Sequence, residues 1–171
     1  MSAGPGDYDF SPMTAADLPL VRRWLETPDV RRWWGDADEQ VALLAGDLDG
    51  PSMVMWIVSH GRQPFAYIQD YDPHAWALHH LSDLPSGSRG IDQFIGEPDM
   101  MNRGHGSAFI RAHADRLFAT GAPVIGTDPD PSNARAIRAC EKAGFAAAGE
   151  VLDMEEKPVL LMLRRAPQGS R

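Results

Sequence analysis

Ser88 to Thr120 reads SRGIDQFIGEPDMMNRGHGSAFIRAHADRLFAT, and the patterns within it set the order of the fold. Arg89 to Gly96 alternates, with Ile91, Phe94 and Ile95 as apolar members, which predicts a strand with one irregularity. Ser107 to Phe118 places Phe109, Ala112, Leu117 and Phe118 at helical spacing. Between them stands Asn102-Arg103-Gly104-His105-Gly106-Ser107. Two glycines at a strand-to-helix junction let the backbone come close to a ligand. The first-turn N–H groups have no partner within the helix, and the dipole there favours an anion, so the segment is a pyrophosphate cradle on physical grounds. No Gly-Lys-Ser/Thr follows and no G-x-G-x-x-G is present, which disfavours P-loop and dinucleotide sites.

Composition narrows the class. The chain has 171 residues, 43% of them hydrophobic, which suits one folded domain over residues 1–171, with 1–7 and 166–171 frayed. No apolar run approaches the roughly 20 residues of a membrane span, and Met1 to Asp7 carries no signal-peptide pattern. The single cysteine, Cys140, excludes an internal disulfide and fits a reducing cytoplasm. A net charge of −8 argues against a nucleic-acid partner and suits a small cationic substrate, though solubility alone accounts for such a charge.

Tyr8 to Met13 reads as a first strand, and Thr14 with Asp17 as an acidic capping box for a helix carrying Leu18, Val21, Trp24 and Leu25. That helix ends before Pro28. In Asp29-Val30-Arg31-Arg32-Trp33-Trp34-Gly35 one tryptophan is in the core and the other half-covered, or the two form an aromatic wall for a ring-shaped ligand. Asp38 to Asp49 is a second amphipathic helix (Val41, Leu44, Ala45, Leu48). Ser52 to Ser59 and Pro64 to Tyr71 are strands joined by a tight turn at His60 to Gln63. Tyr67, Gln69 and Tyr71 share a face of the second strand, either a lined pocket or a solvated sheet face. Asp72 to Gly87 reads as a solvent-facing loop with one helical turn around His74 to Leu81. His74, His79 and His80 allow two ligands on a helix face, with His74 and His79 poorly spaced, but no nearby Cys supports a metal site and none is expected. Pro123 to Asp128 is a short strand, Ser132 caps a last helix, Gly144 ends it in left-handed geometry, and Phe145 to Val151 and Pro158 to Arg164 close the sheet.

Strand, Gly104-His105-Gly106, helix, short strand and Ser132 to Phe145, in this order, resemble the acetyl-CoA-binding half of a GNAT N-acetyltransferase. The cradle motif of that family is Q/R-x-x-G-x-G/A; Met101 stands at its Gln/Arg position, which leaves more of the binding to backbone amides. Within the family the chain is similar to aminoglycoside 6'-N-acetyltransferases. The similarity rests on Val30 to Gly35, Arg89 to Gln93, Gly104 to Gly106, and Thr127 to Asn133 running on through Arg135 to Arg138 and Glu141 to Phe145. It implies an α/β (α+β mixed) GNAT acyltransferase fold, with a central, mostly antiparallel sheet of six to seven strands and helices on both faces. It further implies a monomer or homodimer using acetyl-CoA as co-substrate, with direct acetyl transfer to a primary amine.

On that resemblance Asp92 is the carboxylate that takes the amine proton, or one that orients the substrate. A strand bulge after it would aim the N–H of Phe94 or Ile95 at the thioester oxygen. Cofactor contacts are expected from Asn102, Arg103, Gly104, His105, Gly106 and Ser107, with Asn133 on the pantetheine or adenylate side. Trp33, Trp34, Gln69, Tyr71 and Asp128 are the candidate acceptor residues, Asp128 with a turn-capping alternative. Many relatives carry a Tyr acid where this chain has Cys140, and an acidic loop where Trp76 to Ser88 has only Asp83. An N-hydroxylysine acyltransferase of siderophore synthesis and a non-catalytic acetyl-CoA-binding domain are the competing readings.

Overall fold

The computed structural model describes residues 5–169. Seven strands form one sheet in the order β1-β2-β3-β4-β5-β7-β6. They are β1 (Tyr8–Pro12), β2 (Met53–His60), β3 (Gln63–Tyr71), β4 (Arg89–Ile95), β5 (Val124–Thr127), β6 (Ala146–Leu152) and β7 (Pro158–Arg165). Only β4 and β5 run parallel, so the expected mostly antiparallel sheet is present. The helices are α1 (Leu18–Leu25), α2 (Pro28–Trp34), α3 (Ala37–Asp47), α4 (His105–Ala119) and α5 (Ala134–Lys142).

Apolar side chains cover the sheet on both faces. Trp24, Leu25 and Leu44 pack with Tyr67 and Phe94 on one; Phe109, Ile110 and Cys140 pack with Ile68 and Ile91 on the other. The central strand β3 is therefore buried from Phe65 to Tyr71, and the Tyr67-Gln69-Tyr71 face is a covered one, not a solvated one.

Several local expectations change. Asp29 to Gly35, left unassigned above, is helical through Trp34, because Pro28 has the backbone angle of a first helical residue. α4 starts at His105, two residues before the apolar periodicity, after Gly104 at φ 84°. Asn133, not Ser132, caps α5: its Oδ1 accepts the Ala136 N–H at 3.2 Å, while the Ser132 hydroxyl is held by Asp130 at 2.6 Å. Ala45 is exposed. Pro5–Asp7 forms a 3-10 turn; the rest of the expected N-terminal fraying, and residues 170–171, lie outside the described residues. The segment after β3 has a 3-10 turn at Pro73–Ala75 and folds back far enough to bury Leu81. Much of it still faces solvent, as expected, with Leu78 94% exposed.

What positions the site is the pairing of β4. Against β3 its register is continuous from Tyr71↔Gly90 to Ala66↔Ile95, so the expected bulge after Asp92 is absent. Against β5 it pairs only at Arg89↔Ile125 and Gly90↔Gly126, and the strands part from there. Thr127 Oγ1 donates to the Ile91 carbonyl at 3.0 Å, capping the last β4 acceptor before the gap.

Candidate active site

The parting of β4 and β5 leaves one edge of β4 without a strand. The Gly96 N–H bonds the Phe65 carbonyl at 2.8 Å. In an antiparallel ladder bonded and open positions alternate, so Asp92 and Phe94 turn their backbone groups toward β3. Gln93 and Ile95 turn theirs toward the gap. An extended ligand chain laid there can exchange hydrogen bonds with β4 as a missing strand would. Of the two amides proposed for the thioester oxygen, the Ile95 N–H faces the gap and the Phe94 N–H does not.

The gap continues into a cleft of about 570 Å³ bounded by α2, β4, the start of α4 and one face of α5. Asn102, Gly104, Gly106 and Ser107 form its far end. Asn102 (φ 58°) and Gly104 (φ 84°) are both left-handed, which folds the backbone back so that its N–H groups converge. The first helical bond in α4 is from the Ala108 N–H to the Gly104 carbonyl, so the N–H groups of His105, Gly106 and Ser107 are free for an anion. Gly106 sits within 3.7 Å of Ile95 Cδ1 for an added Cβ, so the cradle floor rests on β4.

The side chains of Arg103 and His105 lie elsewhere. Arg103 donates to the Asp99 carbonyl at 3.3 Å. His105 turns into the core, with its Nδ1 2.9 Å from the Tyr8 hydroxyl, so its contact with a ligand comes from the backbone. Asn133 lines the cleft, although its Oδ1 is engaged as the α5 cap. Trp33 and Trp34 both line it too, and neither is fully buried. Trp34 stands edge-on to Phe94 at 5.0 Å, and Arg32 lies 4.7 Å over the Trp33 ring.

The cleft also holds residues the sequence reading did not single out. Arg135, Arg138 and Lys142 line it from α5. Their spacing of three and four puts them on one helical face, a signal available in the sequence. Gln93 lines the gap, and its Oε1 is buried without a partner. Free edge amides, a convergent cradle, an orphaned acceptor and a basic rim suit a long polyanionic ligand with an amide-bearing arm, the chemistry of a coenzyme A thioester.

Asp92 projects from β4 on the face opposite Gln93, beside Gln69. The Tyr67 hydroxyl donates to Gln69 Oε1 at 2.6 Å, and Gln69 Nε2 donates to Asp92 Oδ2 at 2.9 Å. Asp128 stands near enough for its charge to act on the Asp92 carboxyl. Part of the Asp92 surface stays open. Burial pushes it well above the usual carboxylate range and the negative charge of Asp128 adds to that, with the Gln69 N–H opposing. His80 Nε2 lies 2.5 Å from Asp128 Oδ2. Gln69, Tyr71, Asp92 and Asp128 all stand outside the cleft wall, with Tyr71 packed against Trp76 and His79. Asp128 meets His80 and has no turn-capping bond among the described contacts.

Cys140 is fully buried, and burial followed by the charges of Glu141 and Asp128 pushes its thiol up to about 12. Such a thiol is neither nucleophile nor ready proton donor.

Comparison with known proteins agrees with this geometry. The family description "Acetyltransferase (GNAT) domain" matches residues 13–152. An aminoglycoside N(6')-acetyltransferase type 1 of Klebsiella pneumoniae is 32% identical over 165 residues, covering 90% of this chain and 81% of that protein. A structure of AAC(6')-Ib with parmomycin and acetyl-CoA superposes with a TM-score of 0.81 at 30% identity, covering 93% of each chain. One of AAC(6')-Ib with coenzyme A and kanamycin gives 0.80 at 30% identity, covering 92% of this chain and 94% of that one.

Proposed function

Since the chain belongs to the acetyltransferase (GNAT) family, we propose that it transfers the acetyl group of acetyl-CoA to the 6'-amine of an aminoglycoside. The observation that carries this is the gap between β4 and β5, an open strand edge that runs from Gln93 and Ile95 to the phosphate cradle, with Asp92 beside it on the other face of β4. A pantetheine arm along Gln93 and Ile95 brings a thioester next to an ammonium group held by the two carboxylates.

The transfer needs few groups. Asp92, ionised, takes a proton from the ammonium, directly or through water. The freed amine forms a bond to the thioester carbon while the Ile95 N–H stabilises the developing oxyanion. Collapse breaks the carbon–sulfur bond, and the nitrogen gives up its second proton as the amide forms. Cys140 does not reach the cleft, so that proton passes to the CoA thiolate directly or through water. Arg135, Arg138 and Lys142 hold phosphates at the mouth, and Trp33 and Trp34 cover an acceptor sugar ring. Among the described residues no helix is long and apolar enough to cross a membrane; we place the enzyme in the cytoplasm, where acetyl-CoA is available.

The test is release of CoA thiol from acetyl-CoA with kanamycin, with an aminoglycoside bearing a 6'-hydroxyl, and with N-hydroxylysine. Turnover with kanamycin alone supports the proposal. Turnover with N-hydroxylysine alone would move the enzyme to hydroxamate synthesis. Acetyl-CoA binding with turnover of none would leave a domain that binds the cofactor without acting on these amines.

A further inference from the structure

The loop between β3 and β4 delivers His80 to the carboxyl pair from 48 residues away in sequence. The side chains of His80 and Asp128 are only 7% and 16% exposed, so the contact is shielded from solvent and is not an adventitious surface pair. Asp128 is thus held by His80 and acts on Asp92 through its charge, and Asp92 is held in turn by Gln69, which Tyr67 fixes. The His80 ring is fixed by the ring of His79, stacked at 4.2 Å and 22°.

We propose that His80 is a positioning residue for acetyl transfer: its bond to Asp128 orients that carboxylate and offsets its charge, leaving Asp92 free to take the acceptor's proton. The inference rests on the acetyltransferase reading above and deepens it. Two neighbouring carboxyl groups in a shielded site cannot both ionise easily, and the second proton leaves only when something compensates the first charge. The N–H of His80 does this for Asp128. Without it, the uncompensated charge of Asp128 bears fully on Asp92, which stays protonated to higher pH.

The other titratable groups about the site do not supply that compensation. Tyr67 and Tyr71, both from β3, are kept neutral, their hydroxyls pushed well up by burial and then by the charge of Asp92. Cys140 from α5 is neutral for the reason given above. His79 is disfavoured as a cation by burial and by His80, and Asp153, from the loop between β6 and β7, brings negative charge. Only His80 donates a hydrogen bond to Asp128 among the described contacts.

The experiment compares the intact enzyme with His80→Ala and His80→Gln, the latter keeping an N–H donor. Two readouts are taken: the carboxyl titration of Asp92 and Asp128 by carbon-13 NMR without substrate, and the pH profile of kcat/KM. Acetyl-CoA affinity checks folding, since His80 is no part of the cleft wall. The expected result for His80→Ala is a rise of about one pH unit in the upper carboxyl titration and an equal rise in the acidic limb of kcat/KM. Near-native acetyl-CoA affinity and substantial reversal in His80→Gln complete the expected pattern. An unmoved titration overturns the proposal, as does a uniform loss of activity at every pH with the limb unchanged. An intact enzyme that binds acetyl-CoA but acetylates no amine overturns the proposed function instead, while the titration still reads the His80–Asp128–Asp92 coupling.

Discussion

Asp92→Asn replaces the carboxylate by an amide of the same shape, so packing against Gln69 is kept while the base is lost. Turnover should fall by about 10²–10⁴-fold, with acetyl-CoA affinity by calorimetry nearly unchanged; full activity would remove Asp92 from the mechanism. The pH dependence has a defined sign. Asp92 is raised above the usual carboxylate range by burial and then by Asp128, and it is a base only when ionised. The intact enzyme should therefore lose kcat/KM on acidification at a pH above the ordinary aspartate value, and Asp92→Asn should lack that limb. Cys140 gives a control at the same scale. Because it is fully buried with its thiol raised to about 12, Ellman's reagent should label it in the native protein only as fast as the fold opens. The Arg-Gly-Ile-Asp-Gln context is enough to make Asp92 a candidate. Nothing local marks His80, a loop histidine whose partner is Asp128.

At the scale of elements, β4 depends on a glycine for its fit against β3. A Cβ at Gly90 would stand 2.3 Å from the Tyr71 ring, a rigid side chain that is itself buried. Gly90→Ala should cost about 1–3 kcal/mol in urea denaturation and disturb the aromatic cluster of Tyr71, Trp76 and His79 under the loop. α5 makes a different prediction. Reversing one charge of its cleft-facing row, Arg138→Glu, should weaken acetyl-CoA binding and flatten its salt dependence while leaving stability almost unchanged, because the residue packs little. Stability and cofactor affinity falling together would mean the row is structural. The periodicities made β4, α4 and α5 legible, and Gly104 with Gly106 marked the cradle. The absence of a bulge in β4 was not legible, because register is set by the partner strand and Asp92-Gln93-Phe94 reads alike in either case. The tryptophan pair resisted for a related reason: a seven-residue helix at a cleft edge half-buries both of its last two residues, which a face-by-face reading cannot express.

At the scale of the whole molecule, the face of the sheet away from the carboxyl pair is tied together by Asp70, a buried group that resemblance to an enzyme family gives no reason to notice. It accepts from Arg89 at 2.6 Å, from Trp56 at 2.8 Å and from His113 at 3.0 Å, joining β2, β3, β4 and α4. Arg116 approaches His113 Nδ1 at 3.2 Å. Arginine can only donate, so Nδ1 accepts, the proton sits on Nε2, and His113 is neutral in the fold. Burial lowers His113 from 6.5, against the pull of Asp70. Burial alone would raise Asp70, but hydrogen bonds from His113, Arg89 and Trp56 outweigh it and hold the carboxyl below 3.8. Both shifts act in one direction. As pH falls through 6.5 the unfolded chain protonates His113 and the folded chain does not, so stability drops by up to about 1.4 kcal/mol per pH unit for that one group. As pH falls further, through the unfolded value of Asp70 and then its lowered folded value, the carboxylate's contribution is lost as well. Urea denaturation at pH 7.5, 6.0 and 5.0 should show this decline in the intact protein. His113→Gln keeps a donor to Asp70 but does not titrate, so its stability should be lower at pH 7.5 and fall less steeply to pH 5.0. Parallel curves for the two proteins would place the acid sensitivity elsewhere, with the buried His105 next to be tested, since burial and then the charge of His60 lower it too.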